Sequence, residues 1–493
     1  MDREPSYSTD YPLKVTDSIP KIKTVGPFCS DAESLFPVWK LVTFVFMRTI
    51  LNMADPLPGL LAPQHLVEGE PYRLMHFVVR QPVEEGLLLY HVMTKALILL
   101  DHDEADMLEK DPASVQGLVE NWFAVPCDHD DTRLALEVRA VGRMLKNPVK
   151  GLSSYTILTT TDCNARCFYC YEKGRSRIPM SDETARAVVQ YIIRNRNGND
   201  TVKIRWFGGE PLYNKRVITR ICTDLKEAGV AFSSSMVSNG LLFDGQIVQE
   251  AIELWNLKKI QITLDGTEAV YNRIKNFVNP EGSPFLKVLR NIRLLVDAGV
   301  KVNIRLNIDR HNADDLFLLA DQLGAGFGNN PLVSVYSHSL FEACDSKAAV
   351  SHSDTQRREL SEKQKLLREK LRGLGLASPG KLSHSLKLNR CMADNDSTAV
   401  ILPDGHIGKC EHFTDSEWFS HVSSDETDGS LLSSFKEFWP ELEACRECAF
   451  YPDCFRLLKC EEAVHCFPEE REEKFLNLRD QLLSYYRHHA VQD

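Results

Sequence analysis

The chain has 493 residues, of which 43% are hydrophobic and 26% charged, so it is long enough for about three globular domains. Its formal net charge of -11 argues against a general nucleic-acid binder, because phosphate contacts need a basic surface. The apolar run 36–47 contains Lys40 and is too short for a signal peptide or a membrane span. We therefore expect a cytoplasmic protein with no nucleic-acid or membrane partner.

The first part of the chain has no catalytic motif. Residues 1–65 form an N-terminal extension without a functional signal. In residues 66–130, the runs 72–79, 86–92 and 96–100 indicate strands, and 103–109 and 115–122 indicate short helices. This pattern predicts a compact winged-helix-like module, although a plain packing subdomain fits it equally well. A linker helix is expected within residues 131–150.

Strand and helix signals alternate in residues 151–340. Apolar strand runs are predicted at 155–158, 202–207, 231–237, 259–264, 302–308 and 332–336. Between the first two lies a helical pattern, 181–194, which Ser181 can cap. Alternation of this kind predicts parallel βαβ units, and six of them make an α/β partial (β/α)6 barrel. The active site should lie at the carboxyl ends of its strands.

Three cysteines follow the first of these strands at CxxxCxxC spacing: Cys163, Cys167 and Cys170. Three thiolates can hold three corners of a [4Fe-4S] cluster, which leaves the fourth iron without a protein ligand. A structural zinc site would need a fourth ligand, and no histidine occurs between His129 and His311. A disulfide would leave one of the three cysteines over.

Polar motifs follow the next strands: Gly208-Gly209-Glu210-Pro211, then Ser238-Asn239-Gly240, then Asp265-Gly266. Together with CxxxCxYC, this arrangement resembles the radical S-adenosylmethionine (radical SAM) enzymes. The resemblance implies that the open iron chelates SAM, whose reductive cleavage yields a 5'-deoxyadenosyl radical. The SAM contacts that it implies are Tyr169, Gly208, Gly209, Glu210, Ser238, Asn239 and Lys275, with Arg305 as a competitor of Lys275. For the last two, an ordinary salt bridge is the alternative.

A second cysteine set lies in residues 386–493, after a charged helical bridge (341–385) that we expect to be solvated. It resembles the SPASM extension of radical SAM enzymes, which carries two auxiliary [4Fe-4S] clusters, and thus implies three clusters in all. By this resemblance, the distal cluster is bound by Cys445, Cys448, Cys454 and Cys466, and the nearer one by Cys391, Cys410 and Cys460. Relatives commonly have three residues, not five, between the cysteines that match Cys454 and Cys460. A zinc ribbon on Cys445 and Cys448 is the alternative.

Two full auxiliary clusters need eight cysteines, and this segment has seven. Either the nearer cluster keeps an open iron, or Cys344, Asp394 or His412 completes it. An open iron there could bind the thiolate of a substrate cysteine beside a carbon radical. This shortage favours the formation of a cysteine thioether.

The resemblance further implies that residues 66–130 recognise the leader of a ribosomal precursor peptide, added as an edge strand. We therefore expect a maturase that cross-links a cysteine-containing core peptide and receives electrons from a donor such as flavodoxin or ferredoxin. Three alternatives stay open: a maturase forming carbon-carbon or ether cross-links, an anaerobic sulfatase (formylglycine) maturase, and a non-enzymatic zinc-binding interaction protein. The sequence does not single out a catalytic acid or base.

Overall fold

The computed structural model describes residues 50–52, 61, 63–146, 151–196, 198–340, 354–378, 380–383, 385–389, 391–412, 416–438, 443–454, 456–460, 466 and 468–490. All of them belong to one unit, Arg48–Asp493. Most of the expected N-terminal extension, the start of the expected bridge (341–353) and the candidate ligand Cys344 lie outside the described residues.

The first described part of the chain is an antiparallel β module. Its strands are β1 (Ile50–Asn52), β2 (Tyr72–Leu74), β3 (Val78–Val83), β4 (Gly86–His91), β5 (Leu97–Leu100) and β6 (Ala124–Pro126). One sheet has the order β1-β5-β4-β3, and β2 pairs with β6. Helix α1 (His102–Lys110) and the 3-10 turn Pro112–Ser114 follow β5, and helix α2 (Asp131–Lys146) leads out of the module.

Two predictions for this module are wrong in detail. The expected strand 72–79 is divided into β2 and β3, because the chain turns where the Val78 N–H donates to the Met75 carbonyl at 3.0 Å. The expected helix 115–122 is a series of turns. Gly117 (φ 84°) and Trp122 (φ 67°) adopt left-handed conformations that a right-handed helix does not allow. The module therefore has one helix fewer than predicted.

Six parallel strands form the centre of the molecule. They are β7 (Ser154–Leu158), β8 (Thr201–Phe207), β9 (Ala231–Ser238), β10 (Leu257–Thr263), β11 (Lys301–Ile308) and β12 (Val333–Ser339). They lie side by side in chain order, and each neighbouring pair is parallel. The connecting helices are α3 (Asp182–Asn195), α4 (Lys215–Glu227), α5 (Gly245–Glu253), α6 (Glu268–Lys275), α7 (Pro284–Asp297) and α8 (Ala313–Phe327). The predicted partial barrel is confirmed.

Alternating side chains explain how these strands pack. Along β9, every second residue is buried, including Phe232 and Met236, while those between them are more exposed. One face of each strand therefore packs against the helices, and the other is free to line the concave side of the barrel. Ser181 caps α3 as predicted, because its Oγ accepts from the Thr184 N–H at 3.0 Å.

The central sheet continues into the cysteine-rich segment, which the sequence did not indicate. Strands β13 (Thr398–Ile401), β14 (His406–Gly408) and β15 (Ser420–His421) extend it beyond β7 to nine strands. β13 pairs in parallel with β7, and β14 turns back antiparallel to β13. The cysteine-rich segment is thus hydrogen-bonded to the first strand of the barrel.

The remaining helices are α9 (Asp354–Gly373), α10 (Gly429–Ser434) and α11 (Pro468–Ala490). Short 3-10 turns occur at Pro211–Asn214, Glu443–Cys445 and Tyr451–Asp453. The expectation that α9 is a solvated bridge is wrong, since its Leu360, Leu367 and Leu371 are all buried in the main core. Their spacing of seven and four residues places them on one face of the helix.

The N-terminal module contacts the cysteine-rich segment directly. The buried Lys95 forms an ion pair with Asp453. Arg139, on α2, donates from Nη2 to the carbonyls of Tyr451 at 2.9 Å and Pro452 at 3.0 Å. These contacts hold the module against the turn that precedes Cys454. Among the helices that the structure describes, none is both long and apolar enough to cross a membrane.

Candidate active site

The loop after β7 holds the cysteines Cys163, Cys167 and Cys170, all of them free thiols that are half-buried. Asp162 fixes the start of the loop, because its Oδ1 accepts from the Cys163 N–H at 2.8 Å. The middle of the loop is tied to α6, where the Arg166 N–H donates to the Lys275 carbonyl at 2.8 Å. The loop is therefore held both next to β7 and by the helix that follows β10.

The three thiols lie close enough to influence one another. Burial raises the pKa of Cys163 to about 12 and that of Cys170 to about 11, and the neighbouring Cys167 adds to the rise in both. Iron binds the thiolate, so iron binding at this site would release protons, and attraction to the metal would offset the repulsion between neighbouring thiolates. Three converging thiols fit a [4Fe-4S] cluster with one open iron.

Two glycines let the strand β8 approach this loop. A Cβ on Gly208 would lie 2.1 Å from the Thr160 carbonyl oxygen, and one on Gly209 would lie 2.4 Å from the Asp162 carbonyl oxygen. Gly208 also has a φ of 114°, which side chains rarely adopt. The backbone N–H groups of Gly209 and Glu210 donate to these same two carbonyls at 3.0 Å. Only glycine fits here, and the contact brings Glu210 to the cysteine loop.

Glu210 lies at the centre of a buried hydrogen-bond network. Its carboxylate accepts from the Ser238 Oγ at 2.9 Å and from the Asn239 N–H at 2.8 Å. Burial raises the pKa of Glu210 to about 7, although these hydrogen bonds oppose the shift. The Asn239 Nδ2 donates to the Asn164 Oδ1 at 2.7 Å, beside Cys163. The structure thus brings five of the expected SAM contacts to the cysteine loop: Gly208, Gly209, Glu210, Ser238 and Asn239.

The sequence of this region matches a known family. Residues 157–323 match the model of the Radical SAM superfamily. Residues 157–323 form a radical SAM domain.

Curated relatives of the radical SAM domain cover only part of the chain. The chain is 30% identical over 177 residues to the GTP 3',8-cyclase of Alkaliphilus metalliredigens, covering 35% of this chain and 53% of the relative. It is 24% identical over 164 residues to the Fe-coproporphyrin III synthase of Methanosarcina barkeri, covering 33% of this chain and 39% of the relative. The chain spans about half the length of the curated relatives it matches first.

Solved structures resemble more of the chain. anSMEcpe with bound AdoMet has a TM-score of 0.51 and 16% identity, covering 68% of this chain and 99% of that chain. The same protein with AdoMet and the Cp18Cys peptide has a TM-score of 0.50 and 15% identity, covering 69% of this chain and 99% of that chain. Streptococcus suis SuiB bound to the precursor peptide SuiA has a TM-score of 0.48 and 14% identity, covering 78% and 95%. The first two likenesses show a shared fold that extends beyond the radical SAM domain.

A polar cluster that the sequence did not predict lies beside Cys167 in the radical SAM domain. The Asp265 Oδ2 accepts from the Tyr169 hydroxyl at 2.7 Å and pairs with the Lys275 Nζ at 3.0 Å. The Lys275 Nζ also donates to the Tyr169 oxygen at 3.0 Å. Burial lowers the pKa of Lys275, but Asp265 and Tyr169, with a smaller contribution from Cys167, outweigh this and hold it well above its usual value. Tyr169 and Lys275, both expected to contact SAM, thus contact each other.

Asp265 has one oxygen to spare in this cluster. Its side chain is 1% exposed, and its Oδ1 has no hydrogen-bond partner among the described residues. The sequence placed Asp265 after a strand without giving it a role, because the ion pair depends on how α6 folds back over β10. A buried acceptor at this position is available to a hydroxyl or amide of a bound ligand.

Arg305, on β11, makes different side-chain contacts from Lys275 and belongs to the polar face of the sheet. Its Nε donates to the Asn307 Oδ1 at 2.8 Å. On neighbouring strands, the Tyr336 hydroxyl donates to the Gln261 Oε1 at 2.8 Å, and Arg305 and Arg205 both lower the pKa of that phenol against the effect of its burial. No acidic partner of Arg305 occurs among the described residues, so the salt bridge considered as its alternative is absent there. Its predicted contact with SAM stays untested.

The cysteines of the second set influence one another's pKa values in two groups. The pKa of Cys448 is raised by burial and then by Cys454, Cys466 and Cys445, so these four thiols are neighbours. Burial also raises the pKa of Cys410, with smaller contributions from Cys391 and Cys460. Cys410 and Cys460 further pack against the same apolar cluster. Their binding of iron remains a prediction.

Two candidates for the eighth ligand have other partners. Asp394 accepts from the Cys391 N–H at 3.1 Å through Oδ1, and its Oδ2 lies 3.3 Å from the Arg143 Nη2. It therefore holds the loop of Cys391 in place. The imidazole of His412 stacks on the ring of Tyr171, with centroids 4.6 Å apart. Glu411, which the sequence did not single out, raises the pKa of both Cys410 and Cys391.

Within the described parts of the chain, no three His, Cys, Asp or Glu side chains are close enough to hold a single metal ion.

A cavity of about 520 Å³ lies between the edge strand β3, helix α11 and the loop of Cys448. Its lining includes Val79, Phe475 and Arg479. None of the residues that line this cavity is among the expected SAM contacts.

Proposed function

We propose that the protein is a cytoplasmic radical SAM maturase that cross-links a ribosomally made peptide, most directly by forming a cysteine thioether. The observation that carries this proposal is the pairing of a complete three-thiol site in the radical SAM domain with a three-thiol group at Cys391, Cys410 and Cys460. The second group has one ligand position to which no cysteine of the described chain contributes. Such a position suits a substrate thiolate.

The residues of the first site fit SAM and a cluster. Cys163, Cys167 and Cys170 would hold the cluster, and the carboxylate of Glu210 would accept hydrogen bonds from the ammonium group of SAM. When bound, the cluster and SAM supply a 5'-deoxyadenosyl radical, a reagent that can take hydrogen from an unactivated C–H bond. No side-chain base in this chain can do so, because such a bond has no usable acidity.

The protein's own residues bind and shield the reactants. Glu210, Ser238 and Asn239 form a rigid floor, since each is hydrogen-bonded to another of the three. Tyr169, Asp265 and Lys275 close the side next to Cys167 and exclude water from it. The polar face with Arg305 and Gln261 offers donors and acceptors to a peptide backbone.

A peptide partner is supported by the N-terminal module. β3, β4 and β5 form an antiparallel sheet, a scaffold to which an extended leader can add as a strand. The fold is shared with anSMEcpe, whose structure holds the Cp18Cys peptide. One edge of the sheet, however, is already taken by the chain's own β1, which pairs with β5. A leader must replace β1 or add to β3.

The decisive experiment uses mass spectrometry. A small cysteine-containing peptide encoded beside this gene is incubated anaerobically with iron-loaded protein, SAM and a reductant such as reduced flavodoxin. We expect a loss of two hydrogens for each cross-link and a cysteine that no longer reacts with iodoacetamide. A loss of mass with the thiol still free would mean a carbon-carbon or ether bond instead.

Two controls distinguish other activities. A sulfatase-derived peptide tests for formylglycine formation. GTP tests for the activity of the cyclases that match the radical SAM domain. Failure to form deoxyadenosine from SAM, in protein with a full iron content, would contradict the proposed function as a whole.

A further inference from the structure

Two aromatic rings connect the loop of Cys163, Cys167 and Cys170 with the loop of Cys410. Tyr171 directly follows Cys170, and His412 lies two residues after Cys410. Their rings are stacked face to face, with centroids 4.6 Å apart and planes inclined by 1°. Because Tyr171 follows β7 and His412 follows β14, the stack connects segments that are far apart in the chain.

Arg175 makes a second contact across the same junction. Its Nη1 donates to the His412 carbonyl at 2.9 Å, and its guanidinium lies 5.8 Å from the centroid of the Tyr171 ring. The chain can return to this position because it turns after the last cysteine, where the Lys173 N–H donates to the Cys170 carbonyl at 3.1 Å. The backbone of one loop is therefore held by a side chain of the other.

The ring of Tyr171, and not its hydroxyl, makes this junction. The hydroxyl is buried and has no hydrogen-bond partner among the described residues. Since Tyr171 directly follows Cys170 and its stacking partner His412 lies two residues after Cys410, the ring lies at the junction of the two thiol groups.

We propose that Tyr171 and His412 are a positioning pair that fixes the distance and orientation between the SAM-binding cluster and the nearer auxiliary cluster. This inference rests on the proposed function, in which both thiol groups bind clusters. A peptide carbon and a peptide sulfur held at the two sites must meet to form a bond. A displacement of about 1 Å between such sites can lower a rate on the order of 10²-fold.

The pair also explains why His412 need not be an iron ligand. Its ring lies flat against Tyr171, and its carbonyl is held by Arg175. The residue therefore has a structural reason to lie beside Cys410 without binding iron. The sequence left open whether His412 is an iron ligand, and the positioning role accounts for His412 without iron binding.

The test compares variants of the iron-loaded protein by electron paramagnetic resonance after reduction with dithionite. In Tyr171→Leu and His412→Leu, we expect full iron content but loss of the magnetic interaction between the two reduced clusters. Tyr171→Phe should retain the magnetic interaction, because the aromatic ring remains. The control is His406→Leu, which removes another aromatic stack of the same segment, on Trp418, with centroids 4.0 Å apart and planes inclined by 25°. It should keep the interaction.

The outcomes separate the inference from the proposed function. If wild-type protein lacks either the SAM-binding cluster or the nearer auxiliary cluster, the proposed function fails, and the inference with it. If wild-type protein shows two interacting clusters and both leucine variants keep that interaction, only the positioning role is overturned. A loss of iron in His412→Leu, but not in Tyr171→Leu, would also overturn it and make His412 a ligand.

Discussion

Asp265 and Lys275 form an ion pair of 3.0 Å in which the side chains are only 1% and 5% exposed. Removal of one partner leaves a buried charge without compensation, which typically costs about 3–5 kcal/mol. We therefore expect Asp265→Asn to lower the free energy of unfolding by about that amount. Denaturant titration measures it. Asp314→Asn breaks an exposed pair with Lys363 and should have little effect. An equal loss of unfolding free energy in both variants would show that burial does not increase the contribution of the Asp265–Lys275 pair.

The glycines of the second motif should be needed for loading of the first cluster. Gly209→Ala places a Cβ 2.4 Å from the Asp162 carbonyl oxygen, so the cysteine loop has to move. We expect a loss of stability of about 1–3 kcal/mol and less iron per chain. Gly245→Ala is the matched control, because a Cβ at that position meets nothing within 4 Å. Iron analysis and unfolding curves measure both effects, and normal iron content in Gly209→Ala would show that the loop can adjust.

SAM binding should depend on the ionisation of Glu210. Burial raises the pKa of this carboxyl to about 7, so it is mostly protonated below that pH and ionised above it. Since the ammonium group of SAM favours the ionised form, affinity should increase on the order of tenfold from about pH 6 to about pH 8. Equilibrium dialysis measures it. Glu210→Gln should bind SAM more weakly and remove this part of the pH dependence. The same slope in both proteins would assign the titration to SAM itself.

Asp131 should stabilise the N-terminal module without affecting SAM. Its carboxylate accepts from Arg73, from the His76 N–H and from His129. Burial raises its pKa, but these hydrogen bonds together hold it below the usual range. A lowered pKa means that the stabilisation is present at neutral pH and is lost as the pH falls. We expect Asp131→Asn to increase hydrogen exchange in β2 and β6 while deoxyadenosine formation stays normal. A loss of SAM cleavage would contradict this separation.

The chain's own strand β1 should compete with the leader peptide. Its backbone pairs with β5, with Ile50 opposite Ile98. Ile50→Pro removes a backbone N–H at the position that pairs with Ile98 and should free the edge of β5, so that a fluorescent precursor peptide binds more tightly. Arg80→Ala, on the opposite edge strand β3, should leave the affinity unchanged if the leader adds to β5. Weaker binding in Arg80→Ala alone would place the leader on β3 instead.

The barrel could be predicted because its strands bury one face and its motifs lie at strand ends. Each observed strand from β7 to β12 begins and ends within a few residues of the predicted run. Local turns were harder to predict, as the division at Val78 shows, because one backbone hydrogen bond outweighs a continuous β pattern. β13 was missed because its partner β7 is far away in the chain, and nothing within the short run Thr398–Ile401 identifies that partner.

Each motif of the site could be predicted from the sequence separately, but the contacts between the motifs could not. Glu210, Ser238 and Asn239 were expected on separate loops, and the structure brings them together. The contacts of Asp265 with Lys275 and of Tyr171 with His412 join residues from different elements. No pattern within one element encodes such contacts. They depend on strand register and on how loops fold back, which a single sequence does not reveal.

The parallel pairing of β13 with β7 has a consequence for the order in which the chain acquires its structure. β7 is synthesised early, and its partner leaves the ribosome only after the whole barrel. Until then, the outer edge of β7 has unpaired backbone groups, which are prone to aggregation. A nascent chain that stalls before Thr398 should therefore need a chaperone. Cys391 and Cys410, which lie on either side of β13 in the chain, therefore reach their positions beside the barrel only after this pairing has formed.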